Sequence, residues 1–132
     1  MKYMLDTNTC IEIIRRRSVG AVERCEAHAG EGLCLSAISY SELLFGCEKS
    51  LHPAKNRQAL EKFLTPIEVL DFPAEAGHDY AKLRAGLEKQ GRIIGPNDLL
   101  IAAHCLQLKS TLVTNNEREF RRVPGLRVIN WL

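Results

Sequence analysis

Five short apolar runs punctuate the chain, at residues 3–5, 33–36, 67–70, 111–114 and 126–129. Runs this short, bounded by polar residues or glycine, predict the strands of a buried sheet. The stretches between them carry apolar residues at helical spacing. Residues 7–16 place Cys10, Ile11, Ile13 and Ile14 on one side, and residues 19–29 predict a second helix. A third, 39–49, carries Leu43, Leu44, Phe45 and Cys47. The fourth, 53–64, opens on Pro53, a residue tolerated at the first helical position. Residues 73–90 repeat Ala76, Tyr80, Leu83 and Leu87 and stop at Gly91. After a Gly95-Pro96 turn, residues 98–108 are apolar nearly all round, which predicts a buried helix. A short helix is expected at 116–122.

Short strands alternating with helices predict an α/β fold, with a mainly parallel central sheet flanked by helices. Such sheets bind their ligands at the carboxyl ends of the strands. Asp6 directly follows the first strand, and Asn115 and Asn116 follow the fourth. Polar groups are thereby expected at the one edge where chemistry is done.

At 132 residues the chain is read as a single domain, residues 1–132, with 45% hydrophobic and 26% charged residues. That balance excludes a disordered, collagenous or coiled-coil chain. No apolar run nears the ~20 residues of a membrane span, and the N-terminus meets an acid at Asp6, so no signal peptide is expected. Cys10, Cys25, Cys34, Cys47 and Cys105 are odd in number and form no C-x-x-C pair. They are expected as buried thiols in a reducing cytoplasm rather than as a zinc site or a disulfide framework.

The acids carry the chemical signal. Of 16 acidic residues only Asp6, Asp71, Asp79 and Asp98 are aspartates. Asp6 and Asp98 stand in apolar surroundings, where a charge costs several kcal/mol unless paired or bound to metal. Glu42 and Glu119 lie in two further polar segments, Ser39-Tyr40-Ser41-Glu42 and Thr114-Asn115-Asn116-Glu117-Arg118-Glu119. If these four acids converge, they make a pocket of hard oxygen ligands suited to Mg²⁺ or Mn²⁺. A cation so held activates water and neutralises charge on a phosphoryl group. Each acid also has a plainer explanation. Ser39–Glu42, Asn116–Glu119 and Thr9–Glu12 all have capping-box spacing, and Asp98 would favour the dipole of a first helical turn. Thr7, Asn8 and Thr114 stand beside the acids as supporting groups or as caps. His28, His52, His78 and His104 match no ligand spacing, and His104 is expected to pack in the core.

Taken in order, MLDTN at 4–8, SAISYSELLFG at 36–46, GRIIGPNDLLIAAH at 91–104, LVTNNEREFRRVPGL at 112–126 and Asn130-Trp131 resemble the motifs of the PIN domain. Over the whole chain the sequence is similar to VapC-type toxins of bacterial toxin–antitoxin pairs. The resemblance implies a metal-dependent endoribonuclease with Asp6, Glu42 and Asp98 as its acidic core. Many PIN domains have an aspartate where Asn116 stands. Here the fourth acid is either Glu119, one turn on, or is replaced by Asn116 as a neutral ligand. The resemblance further implies 3′-hydroxyl and 5′-phosphate products, a homodimer, a small VapB-type antitoxin, and structured RNA such as tRNA as substrate. Arg15, Arg16, Arg17, Arg118, Arg121 and Arg122 are the expected contacts to the RNA backbone. A degenerate PIN domain that binds RNA or a partner without cutting is the alternative. A phosphotransferase or phosphatase lacks support, because there is neither a D-x-D after the first strand nor a phosphate-binding G-x-x-x-x-G-K loop.

Overall fold

A computed structural model describes all 132 residues. In chain order the elements are β1 (Tyr3–Leu5), α1 (Thr7–Ile14), α2 (Val19–Ala27), β2 (Leu33–Ser36), α3 (Ala37–Glu48), α4 (Pro53–Phe63), β3 (Glu68–Leu70), α5 (Ala76–Lys89), α6 (Pro96–Leu108), β4 (Thr111–Val113), α7 (Glu117–Phe120) and β5 (Arg127–Ile129). The strands form one sheet in the order β3-β2-β1-β4-β5, and every pairing is parallel. The expected mainly parallel sheet is thus wholly parallel. Register places Leu5 beside Leu35 and Val113, so β1 and β4 end level and β2 runs one residue further.

Side chains alternate across a strand, and the core divides accordingly. Leu5, Leu33, Leu35 and Val113 face one way, onto Cys10, Ile13, Val22, Leu43 and Leu60 of α1 to α4. Met4, Cys34 and Leu112 face the other way, onto Leu83, Leu87, Leu99, Ile101, Cys105 and Phe120 of α5 to α7. The three central strands read as continuous apolar runs because both of their faces are covered. Edge strands β3 and β5 carry exposed Glu68 and Arg127 for the converse reason. All five cysteines are free and buried, as expected. No helix is long and apolar enough to cross a membrane.

Helix ends depart from expectation where a side chain outside the apolar pattern sets them. α1 stops at Ile14 because Arg16 takes a left-handed conformation, φ 52°. α3 begins at Ala37, two residues early, because Ser36 is its N-cap and accepts from the Ile38 amide. Pro96 lies inside α6 as its first residue rather than in a turn. α5 starts only at Ala76 because residues 74–75 form a turn. His104 is in the core, with Nδ1 2.9 Å from Ser36 Oγ.

Candidate active site

Asp6, Glu42, Asp98 and Glu119 are brought to the carboxyl edge of the sheet by four different elements. Asp6 leaves β1 as the N-cap of α1, and its Oδ1 accepts the Thr9 amide at 2.9 Å. Its Oδ2 accepts the Thr114 hydroxyl from the end of β4. Thr9 in turn donates to the Val113 carbonyl at 3.3 Å. The carboxyl is 5% exposed. Burial pushes its pKa up, the Thr114 and Thr9 hydrogen bonds oppose that, and the Glu42 charge adds to it.

Glu42 sits mid-helix on α3 and is held on both oxygens. Oε1 accepts the Thr7 hydroxyl at 2.5 Å, and Oε2 accepts the Asn97 amide at 3.2 Å. The capping-box reading of Ser39–Glu42 therefore does not hold: Ser39 lies inside the helix, and its buried hydroxyl has no partner. Glu12 likewise pairs with Arg17 at 3.1 Å rather than with Thr9.

Glu119 reaches from the one-turn helix α7 to the start of α6. Its Oε1 accepts the Gly95 amide at 2.9 Å, and its Oε2 accepts the Asn116 side chain at 2.8 Å. Asn116 makes no cap bond with its side chain, so the Asn116–Glu119 capping box is also absent. The asparagine instead holds the glutamate. Gly95 lies close to both acids: a Cβ there would make ordinary van der Waals contact with Asp98 Oδ2 at 3.6 Å and Glu119 Oε1 at 3.7 Å.

Asp98, in the first turn of α6, is the most perturbed of the four. Burial, a hydrogen bond shared with Glu119, and the charges of Glu119, Glu42 and Asp6 raise its pKa to about 7. Burial would raise Glu119 too, but the Gly95 amide, Asn116, Asp98 and Arg122 together hold it below the ordinary range. The Asp98–Glu119 pair is thus disposed to hold a shared proton as pH rises toward neutrality. The four acids share one electrostatic field although no three of them converge closely enough here to hold an ion between them.

Of the expected supporting groups, Thr7 and Thr114 bond directly to site carboxylates, whereas Asn8 is exposed and bonds to none of them. Asn97, Gly95 and Thr9 escaped the sequence reading. An amide beside Asp98 and a glycine three residues before it were the available signals. Among the arginines, Arg121 pairs with Glu117 at 2.7 Å, and Arg122 donates to the Ile93 carbonyl at 3.2 Å. Arg15, Arg16 and Arg118 are exposed and form no ion pair. Glu42 and Asn97 also line a groove of about 870 Å³ whose wall mixes apolar Ile11, Leu43 and Phe45 with polar Arg15, Lys49 and Asn56.

A family model described as the PIN domain matches residues 3–126. The chain belongs to the PIN-domain family. This PIN domain is 44% identical to Ribonuclease VapC2 of Haemophilus influenzae, an alignment covering 100% of this chain and 99% of the relative. It is 42% identical to the tRNA(fMet)-specific endonuclease VapC of Shigella flexneri, over 99% and 98% of the two chains. Its fold superposes with a TM-score of 0.94 on a chain of VapBC2 from Rickettsia felis bound to promoter DNA, at 40% identity and full coverage of both. DNA-bound VapBC from Salmonella typhimurium gives 0.95 at 40% identity, over 100% of this chain and 99% of that one. The expected α/β architecture and the PIN and VapC resemblance are both confirmed.

Proposed function

We propose that this PIN domain is the ribonuclease toxin of a VapBC-type pair, hydrolysing structured RNA such as tRNA in a Mg²⁺- or Mn²⁺-dependent reaction. The observation that carries the reading is the mutual electrostatic strain of the site. Burial first, then the neighbouring Glu119, Glu42 and Asp6 carboxylates, hold Asp98 up near 7, while Asp6, Glu42 and Glu119 are each held in place by donors from other segments. An all-oxygen donor set in that condition fits a hard divalent cation. Asp6, Glu42 and Asp98 would hold it, with Glu119 and its partner Asn116 completing the set. Bound there, the cation supplies positive charge against the phosphoryl group at which the reaction occurs.

The chain's own residues do the rest. Thr114 and Thr9 fix the Asp6 carboxylate, and Thr7 fixes Glu42, so the negative groups are oriented before substrate arrives. Asp98 must release the proton it shares with Glu119 before it can serve as a ligand. Arg15, Arg16 and Arg118 are free to meet backbone phosphates. Water adds across the P–O3′ bond, leaving a 3′-hydroxyl and a 5′-phosphate. The VapC relatives support the RNA substrate, and the structural neighbours, which are VapBC complexes, support a VapB-type antitoxin as partner. The groove beside Glu42, part apolar and part polar, suits a segment of that antitoxin. A homodimer working in the cytoplasm completes the reading.

The test is cleavage of purified tRNA by the metal-free protein, with Mn²⁺, with Mg²⁺ and with EDTA. Cutting restored by either cation and abolished by EDTA is expected. Binding of tRNA without cutting under every condition would leave the degenerate, non-cutting alternative. Cutting that persists in EDTA would overturn the metal assignment.

A further inference from the structure

Glu42 is attached to its helix through a flexible side chain, and nothing in α3 itself fixes its carboxylate. The two groups that do fix it come from the two aspartate-bearing segments. Thr7, next in the chain after Asp6, holds Oε1, and Asn97, immediately before Asp98, holds Oε2. Glu42 thereby ties the N-terminus of α1 to the N-terminus of α6. Both residues lie inside stretches that carry the family resemblance, but only Thr7 was read there as a supporting group.

We infer that Asn97 is a positioning residue, acting through Glu42 to set that carboxylate relative to Asp6 and Asp98. The inference rests on the metal-dependent reading above and extends it. Three features separate this role from a merely structural one. The Asn97 side chain is exposed, so truncating it removes no core packing. It makes no cap bond for α6, whose N-cap is Gly95. Its amide donates to a carboxylate oxygen, a charge-assisted contact stronger than a neutral one. Asn97 also lines the groove, where an RNA contact is the competing role.

The experiment compares the unaltered protein with Asn97→Ala, Glu42→Ala and the double variant. Mn²⁺ binding is measured by calorimetry without RNA, and kcat and KM are measured on tRNA. Loss of a group that orients a metal ligand costs 10- to 100-fold in affinity. For an exposed 3.2 Å contact the lower end applies, so Asn97→Ala should weaken Mn²⁺ about tenfold. Its kcat should fall while KM for tRNA stays unchanged. In the Glu42→Ala background the same truncation should cost nothing further, because the group it acts through is gone. An unchanged Mn²⁺ affinity with a raised KM would show that Asn97 touches RNA, overturning the inference. Equal losses in both backgrounds would overturn it as well. If the unaltered protein bound no Mn²⁺, the metal-dependent reading would fail first and take this inference with it.

Discussion

Replacing Asp98 by asparagine should stabilise the metal-free protein, and only at neutral to alkaline pH. Burial first, then Glu119, Glu42 and Asp6, raise this carboxyl from 3.8 to about 7. The folded chain therefore binds a proton more tightly than the unfolded chain does. The associated stability is fully present below pH 3.8 and is lost as pH climbs to about 7. At ~1.4 kcal/mol per pH unit the full span would be worth about 4 kcal/mol. Asp98 is partly open to solvent, and screening reduces this to about 2 kcal/mol. Asparagine cannot ionise, and its amide can donate to Glu119 as the protonated acid does. In EDTA, Asp98→Asn should match the unaltered protein at low pH and exceed its Tm by about 6 °C at pH 8, at roughly 3 °C per kcal/mol for a domain of this size. Added Mn²⁺ should reverse the order, since only the unaltered protein keeps the ligand. Thermal melts across pH 4–8 decide it. A gain independent of pH, or a variant less stable at pH 8, would refute the electrostatic account of the site.

Asp6→Asn should cut tRNA cleavage by more than the ~100-fold that loss of an outer-shell partner can cost. It should leave Tm nearly unchanged, because asparagine still caps α1; an unfolded variant, or one with normal activity, would contradict the assignment. Mn²⁺ should raise Tm far more at pH 7.5 than at pH 5, because Asp98 still holds its proton at the lower pH; equal shifts would count against carboxylate ligation. Glu119→Gln should lower activity less than Asp6→Asn does, roughly tenfold, with recovery at high Mn²⁺. Unchanged activity at limiting Mn²⁺ would leave Asp6, Glu42 and Asp98, with Asn116, as the site.

The sheet was legible in the sequence because its central strands are covered on both faces, so Met4-Leu5, Cys34-Leu35 and Leu112-Val113 read as unbroken apolar runs. Helix ends were less legible, since they depend on polar side chains that propensity does not rank. Ser36 draws α3 back to Ala37, and Arg16 ends α1 by leaving the right-handed region. The acids themselves were visible as charges in apolar settings. Their partners were not, because a hydrogen bond between Asn97 and Glu42 spans 55 residues and leaves no local pattern. Capping-box spacing misled for the same reason. Ser39–Glu42 and Asn116–Glu119 carry that local signature, yet each glutamate is claimed by a donor from another segment.

That contrast explains why the site survives its own repulsion. Four acids at one sheet edge oppose one another, and burial of Asp6 and Asp98 adds to the cost. Relief comes from donors that the fold delivers for other reasons. Asp6 caps α1, a role any strand-to-helix junction needs. Thr114 ends β4, where its hydroxyl meets Asp6 across the β1–β4 pairing. Gly95 precedes α6 with a free amide, as the start of any helix does, and Glu119 accepts it. Two of the four acids, Asp6 and Glu119, are thus neutralised in part by backbone or strand-end groups that would exist without them. Asp98 relies on the hydrogen bond it shares with Glu119, and Glu42 has neither kind of support. It rises from the middle of a helix, where no amide is free, and depends wholly on Thr7 and Asn97. Its position should accordingly be the most sensitive to substitutions that leave the core untouched.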